Sequence, residues 1–140
     1  METRDVEAIN AIANLPGVPE LFGAEAFDFT EAVANPLNIF LLHDGALAIC
    51  EWSAPRVYQC HLIFAPECRR RRAVNAAIAM RDHMLREHAD MLWGQPPLDN
   101  IPGRKLIALA GFKSVGEGFN TLLGKPVEYV TCGSVLCPRP

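Results

Sequence analysis

Asp44-Gly45 stands between two apolar runs, Asn38 to His43 and Ala46 to Ser53, and constrains this chain more than any other dipeptide. Asp-Gly readily supplies the positive φ angles of a two-residue loop, so the flanking runs are expected as adjacent antiparallel strands. After Ala54-Pro55, the run Val57 to Ala65 is rich in β-branched, aromatic and apolar residues. It has the length of a third, central strand, and Pro66 closes it.

Helical spacing frames this sheet. Val6, Ile9, Ile12 and Ala13 recur at helical intervals between Asp5 and Leu15, before the turn signal Pro16-Gly17. Phe22 to Asn35 has Phe27, Phe29 and Val33 as anchors, and its pattern does not choose between strand and helix. From Arg71 to about His88, Val74, Ala77, Ile78, Met84 and Leu85 share one face, interrupted by Arg81, which predicts a long helix lying on the sheet. Met91 to Gly94 reads as a short buried strand and Pro102 to Ala110 as a helix with Gly111 as its C-cap. Phe112 to Val115 and Pro126 to Thr131 read as closing strands. The tail follows, Cys137-Pro138-Arg139-Pro140.

A chain of 140 residues, half of them hydrophobic, fits one compact domain, 1–140. No apolar run approaches the roughly 20 residues needed to cross a bilayer, and Met1 to Glu7 is charged rather than leader-like, so a soluble, cytoplasmic protein is expected. Cys50, Cys60, Cys68, Cys132 and Cys137 form an odd set without a C-x-x-C pair, which argues for free thiols. His83 and His88 are five apart, point in different directions on a helix and read as solvated surface residues, so no metal site is expected. A net charge of −3 argues against a nucleic-acid partner, yet Arg69, Arg70, Arg71 and Arg72 stand together.

The segment His61-Leu62-Ile63-Phe64-Ala65-Pro66-Glu67-Cys68-Arg69-Arg70 resembles the central strand of the GNAT acyl-CoA N-acyltransferases and its exit: an apolar run, a proline, then an arginine. Pro97-Leu98-Asp99-Asn100, followed by a helix ending in Ala110-Gly111-Phe112, is similar to the family's later segment. The resemblance spans roughly Asn38 to Thr131. It implies an α/β (α+β) fold: a mixed, mostly antiparallel sheet with splayed central strands, flanked by helices. It also implies acetyl-CoA as co-substrate and an amine as acceptor.

On that resemblance Ile63, Phe64 and Ala65 match the strand whose backbone holds the pantetheine arm, and Asn100 matches an asparagine that touches the cofactor. Asn100 is equally suited to N-capping the helix that follows. The pyrophosphate loop falls on Arg69, Arg70, Arg71, Arg72, Ala73 and Val74, where Arg72 and Val74 replace the family's glycine and small residue. Cations in the first turn of a helix oppose its dipole by about 0.3 to 1 kcal/mol each, and a bound phosphate would offset them. Pairing with Glu67 and Asp90, or exposure to water, would do so as well. The tyrosine acid of many members falls at Ile107. His61 has the most suitable intrinsic pKa for a base, and Glu51 on the preceding strand is the alternative. A histidine in an apolar strand also serves as a hydrogen-bonded core residue.

Two functions follow: an N-acetyltransferase working by direct attack in a ternary complex, or a binding or structural module that keeps the fold without catalysis. Small divergent proteins of this look occur in phage and prophage genomes. Edge strands near the C-terminus offer a means of pairing two copies as a homodimer.

Overall fold

The computed structural model describes residues 1–133, so Cys137 and the tail around it lie outside the described residues. Among the described residues, five helices and six strands follow one another as α1 (Val6–Ala13), α2 (Val18–Leu21), α3 (Thr30–Ala34), β1 (Ile39–His43), β2 (Ala46–Ala54), β3 (Val57–Phe64), α4 (Arg71–Glu87), β4 (Met91–Gly94), α5 (Ile101–Leu109), β5 (Lys113–Asn120) and β6 (Lys125–Gly133). The strands form one sheet in the order β1-β2-β3-β4-β6-β5. Every neighbouring pair is antiparallel except β3 and β4. The mixed, mostly antiparallel sheet with helices on both sides is the expected fold class.

The Asp44-Gly45 hairpin forms as expected, with φ of +49° and +81° and Ile39 opposite Cys50. A second tight connection, Pro55-Arg56, turns β2 into β3, with Arg56 at φ +61°. Side chains alternate across these strands, so two cores arise. On one face Phe40, Leu47, Ile49 and Ile63 meet Ile9, Ala13, Val18 and Val33 of the first three helices. On the other, Leu41, Ala48, Cys50, Tyr58 and Leu92 meet Ala73, Ala76, Met80 and Met84 of α4.

The buried stripe of α4 differs from the one its larger apolar residues suggest. Ala73, Ala76, Ala77, Met80 and Met84 are buried, whereas Val74, Ile78 and Leu85 are half-buried at the margins. Three alanines let the first turns of the helix approach the strands closely, Met80 and Met84 fill the contact further along, and the branched side chains sit at its margins. Arg81 interrupts the stripe for a local reason: its guanidinium donates to the Ala110 carbonyl at the end of α5. A side chain on Gly111, at φ +93°, would meet that guanidinium at 2.7 Å.

The ambiguous segment Phe22 to Asn35 contains no strand: its last part forms α3, and the irregular stretch before it has backbone groups satisfied by side chains of α1. Asn14 donates to the Phe27 carbonyl at 2.8 Å and accepts from the Phe27 N–H at 2.6 Å, while Asn10 accepts from the Phe29 N–H at 3.0 Å. Phe22 meets Phe27 edge-to-face, and Phe27 stacks on Phe29. The C-terminal hairpin is longer than its apolar residues predict: β5 runs on through the alternating Gly116 and Gly118 to Asn120, largely exposed, and Gly116 marks a register shift.

Gly45 occupies the left-handed region, so Gly45→Ala is expected to destabilise the fold by about 1–2 kcal/mol. Urea unfolding should show a lower midpoint with an unchanged m-value.

Candidate functional site

The sheet parts between its third and fourth strands. β4 pairs with β3 only from Val57↔Met91 to Gln59↔Trp93, although β3 continues to Phe64. Beyond Gly94 the chain follows β6 instead: the Glu128 N–H donates to the Pro96 carbonyl at 2.9 Å, and the Leu98 N–H to the Pro126 carbonyl at 3.1 Å. β3 meanwhile stays with β2 to the end, through Phe64↔Ala46. The result is a notch with one backbone edge exposed along its wall.

Antiparallel pairing decides which residues face it. The Ala65 N–H donates to the Gly45 carbonyl at 2.8 Å, so Ala65, Ile63 and His61 turn their backbone polar groups toward β2. Cys60, Leu62 and Phe64 turn theirs to the notch. Of the three strand residues singled out by the resemblance, Phe64 therefore presents its backbone to the opening, and Leu62 joins it. Ile63 is buried in the α1-side core.

At the mouth of the notch lies the start of α4. Arg70 is its N-cap residue, with φ +55° and ψ −128°, a conformation that favours glycine, and it makes no side-chain cap. The four arginines have separate fates. Arg72 pairs with both carboxylate oxygens of Asp44, its Nε 3.0 Å from Oδ2 and its Nη2 3.0 Å from Oδ1. That pair, with both side chains about half exposed, ties the first turn of α4 to the β1–β2 loop and raises the guanidinium pKa. Arg69 donates to the Pro66 carbonyl. Arg70 and Arg71 are exposed and, among the described residues, their side chains make no ion pair. The acidic partner differs from the expected Glu67 and Asp90: Asp90 is met by Arg56 at 3.1 Å, and Asp44, 28 residues away from Arg72, pairs with the arginine cluster instead. Ala73 is buried against the sheet and Val74 is half-buried.

His61 and Glu51, named as alternative bases, are brought together. They lie on neighbouring strands and on the α1 side of the sheet, with His61 Nε2 3.6 Å from Glu51 Oε1. The histidine is no core residue, since 42% of its side chain remains accessible. Partial desolvation lowers its pKa, and the Glu51 carboxylate opposes that shift.

Cys60 opens toward the notch through its carbonyl but not through its thiol. Its Sγ lies 3.8 Å from Cys50 Sγ, and that contact together with burial pushes the thiol pKa well up. A protonated, enclosed thiol is a poor nucleophile. Tyr58 is in the core, Tyr129 stands on β6 and Ile107 on α5. Asn100 is the N-cap of α5, where Oδ1 accepts from the Gly103 N–H at 3.1 Å. A side chain on Gly103 would strike that amide at 2.4 Å.

One expectation is overturned. His83 and His88 do not point apart into water: their Nε2 atoms lie 2.6 and 3.0 Å from the same Glu2 oxygen, Oε2. α4 ends at Glu87, and the non-helical turn at His88 (φ −133°, ψ −34°) carries its ring back to within 5.9 Å of the His83 ring. Helical spacing does not apply to a residue outside the helix.

No family model matches the chain, and no curated protein matches it by sequence. Solved structures do match it. The aminoglycoside acetyltransferase AAC(6')-Ib, solved in complex with acetyl-CoA, superposes with a TM-score of 0.71 at 15% identity over 99% of this chain and 93% of its own. The ribosomal-protein-S18-alanine N-acetyltransferase of Escherichia coli gives 0.65 at 17% over 94% and 88%. A GNAT-family acetyltransferase of Bacillus anthracis gives 0.62 at 14% over 95% and 87%. No helix among the described residues is long and apolar enough to cross a membrane. The parted sheet, the helix that begins at its mouth and these near full-length superpositions together establish that this chain has the GNAT fold.

Proposed function

We propose that this chain is an acetyl-CoA-dependent N-acyltransferase in which an amine attacks the thioester directly, without a covalent acyl-enzyme. The observation that carries the reading is the notch, where the exposed backbone edge of β3 leads straight to the arginine-bearing start of α4. The similar structure solved with acetyl-CoA supports it through the shared fold.

The residues present fit the cofactor in a way of their own. Leu62 and Phe64 offer backbone donors and acceptors to an amide-bearing arm. Arg70 and Arg71 offer unpaired guanidinium groups beside a helix N-terminus, where backbone N–H groups and the dipole both favour an anion. Arg72 stands where a glycine is usual, but its side chain is drawn away to Asp44. The glycine-like backbone at Arg70 lies two residues earlier. Phosphate recognition here rests on side-chain charge more than on a glycine-lined loop.

Bound acetyl-CoA would supply the activated acyl group. The chain's own contribution is positioning and a proton acceptor. His61, with its pKa lowered, is neutral near pH 7 and can take the proton that the amine nitrogen loses, and Glu51 steadies the resulting imidazolium. The elevated thiol pKa of Cys60 speaks against an acyl-cysteine route. Ile107 brings no acid, so the leaving thiolate takes its proton from water. Slow turnover follows. The second reading, a binding module without catalysis, is favoured by that missing acid, and it predicts the same ligand binding with no acyl transfer.

Calorimetric titration with acetyl-CoA should give micromolar affinity, weakened about tenfold or more by the double change Arg70→Ala and Arg71→Ala. No binding by the unmodified protein would rule out both readings of the notch. In an NMR titration His61 should titrate below its ordinary value of about 6.5, and lower still in Glu51→Gln, because the carboxylate that favours the imidazolium is then gone. Thiol release with an amine panel should fall about a hundredfold in kcat for His61→Ala, with acetyl-CoA affinity retained. Binding without any thiol release by the unmodified protein would select the non-catalytic module.

A further inference from the structure

Glu2, His83 and His88 meet at the opposite end of α4 from the arginines, and nothing in the proposed reaction uses them. The three candidate donor atoms, one carboxylate oxygen and two imidazole nitrogens, all lie within 4.8 Å of one another. From Arg72 to His83 is 11 residues of helix, about 16 Å along its axis, so the cluster is separate from the notch.

Each donor is placed by a different part of the fold. Glu2 is held on the sheet edge, opposite Leu41, by the Leu42 N–H donating to the Met1 carbonyl at 2.7 Å and the Thr3 N–H donating to the Phe40 carbonyl at 3.0 Å. Arg4 anchors the same segment by donating to the carbonyls of Val33 and Asn38. His83 rides on the last turns of α4 and keeps only 16% of its side chain accessible. His88 is returned over it by the helix end, whose N–H is fixed to the Met84 carbonyl at 2.9 Å. The Glu2 carboxylate stays 45% accessible, which leaves an entry path.

We propose that Glu2 Oε2, His83 Nε2 and His88 Nε2 form a binding site for a divalent cation of the zinc class, which clips the N-terminal segment to the end of α4. Two imidazoles and one carboxylate are a donor set that zinc accepts as three protein ligands, with water in the fourth place. At metal–ligand distances of about 2.0 to 2.2 Å, tetrahedral donors stand about 3.3 Å apart. Glu2 Oε2 lies at 2.6 and 3.0 Å from the imidazole nitrogens, and side-chain rotation alone can open those contacts around an ion. Magnesium and calcium, which require mostly oxygen donors, do not suit the site.

The test is titration of the full chain, stripped with chelator, with zinc chloride at pH 7.5, followed by cobalt substitution. One equivalent should bind with micromolar affinity or better and raise the Tm by several degrees at a hundredfold excess over Kd. The cobalt complex should show visible bands of a nitrogen and oxygen site without thiolate-to-cobalt charge transfer. Glu2→Gln and His88→Ala should each weaken binding at least tenfold, while circular dichroism and metal-free urea unfolding report on the fold. Thiolate charge transfer would place the metal on the cysteines and overturn the proposal. Undiminished affinity in both variants, or no binding at about a hundred micromolar zinc, would overturn it too. None of these readouts depends on acyl transfer.

Discussion

A parallel strand of four residues cannot accompany a neighbour of eight, and the site follows from that mismatch. β4 enters from the long helix α4, pairs with the first part of β3, and then leaves with β6. Backbone groups that would ordinarily complete a ladder are left over: the carbonyl of Cys60 and the donors and acceptors of Leu62 and Phe64. Exposed strand edges are a hazard when they lie on the outside of a sheet. Here the edge is internal, flanked by two halves of the same sheet. Everything else in the proposed site is arranged around that gap, from the helix that begins at its mouth to the histidine one residue along the strand.

The two ends of α4 carry opposite electrostatic problems. At the N-terminus four successive arginines oppose the helix dipole, and among the described residues only Arg72 has a carboxylate to offset it. At the C-terminus two histidines lie where positive charge is favoured, and both address Glu2, whose pKa is lowered first by the His88 hydrogen bond and then by that of His83. One end is thus left with surplus cation exposed, and the other is closed upon itself by an acid from the start of the chain.

Strand and helix patterns carried most of the architecture. Asp44-Gly45, the apolar run ending at Pro66 and the helix ended by Gly111 are local signals, each set by a few neighbouring residues, and each appeared where the sequence placed it. What escaped depends on contacts between distant residues. The segment around Phe27 and Phe29 has no periodicity because its hydrogen bonds come from Asn10 and Asn14. In α4, Ala77 and Met84 are buried as the pattern indicates, but close packing on the sheet selects Ala73 and Ala76 over Val74 and Ile78 for the rest of the stripe. Glu2 reads as a charged terminal residue until the sheet edge brings it to two histidines more than eighty positions away. His61 and Glu51, by contrast, were within reach of sequence reasoning because a short hairpin forces their strands together.

Asp44 has two duties that a turn residue does not usually combine. For the hairpin alone, aspartate and asparagine are interchangeable before glycine, since both tolerate a left-handed backbone. Only the carboxylate can also fasten Arg72, and through it the first turn of α4. The position of the candidate phosphate loop is thereby tied to the tip of a hairpin, through this ion pair and through the Ala65 N–H that donates to the Gly45 carbonyl, so that motion of the β1–β2 loop is transmitted to the mouth of the notch.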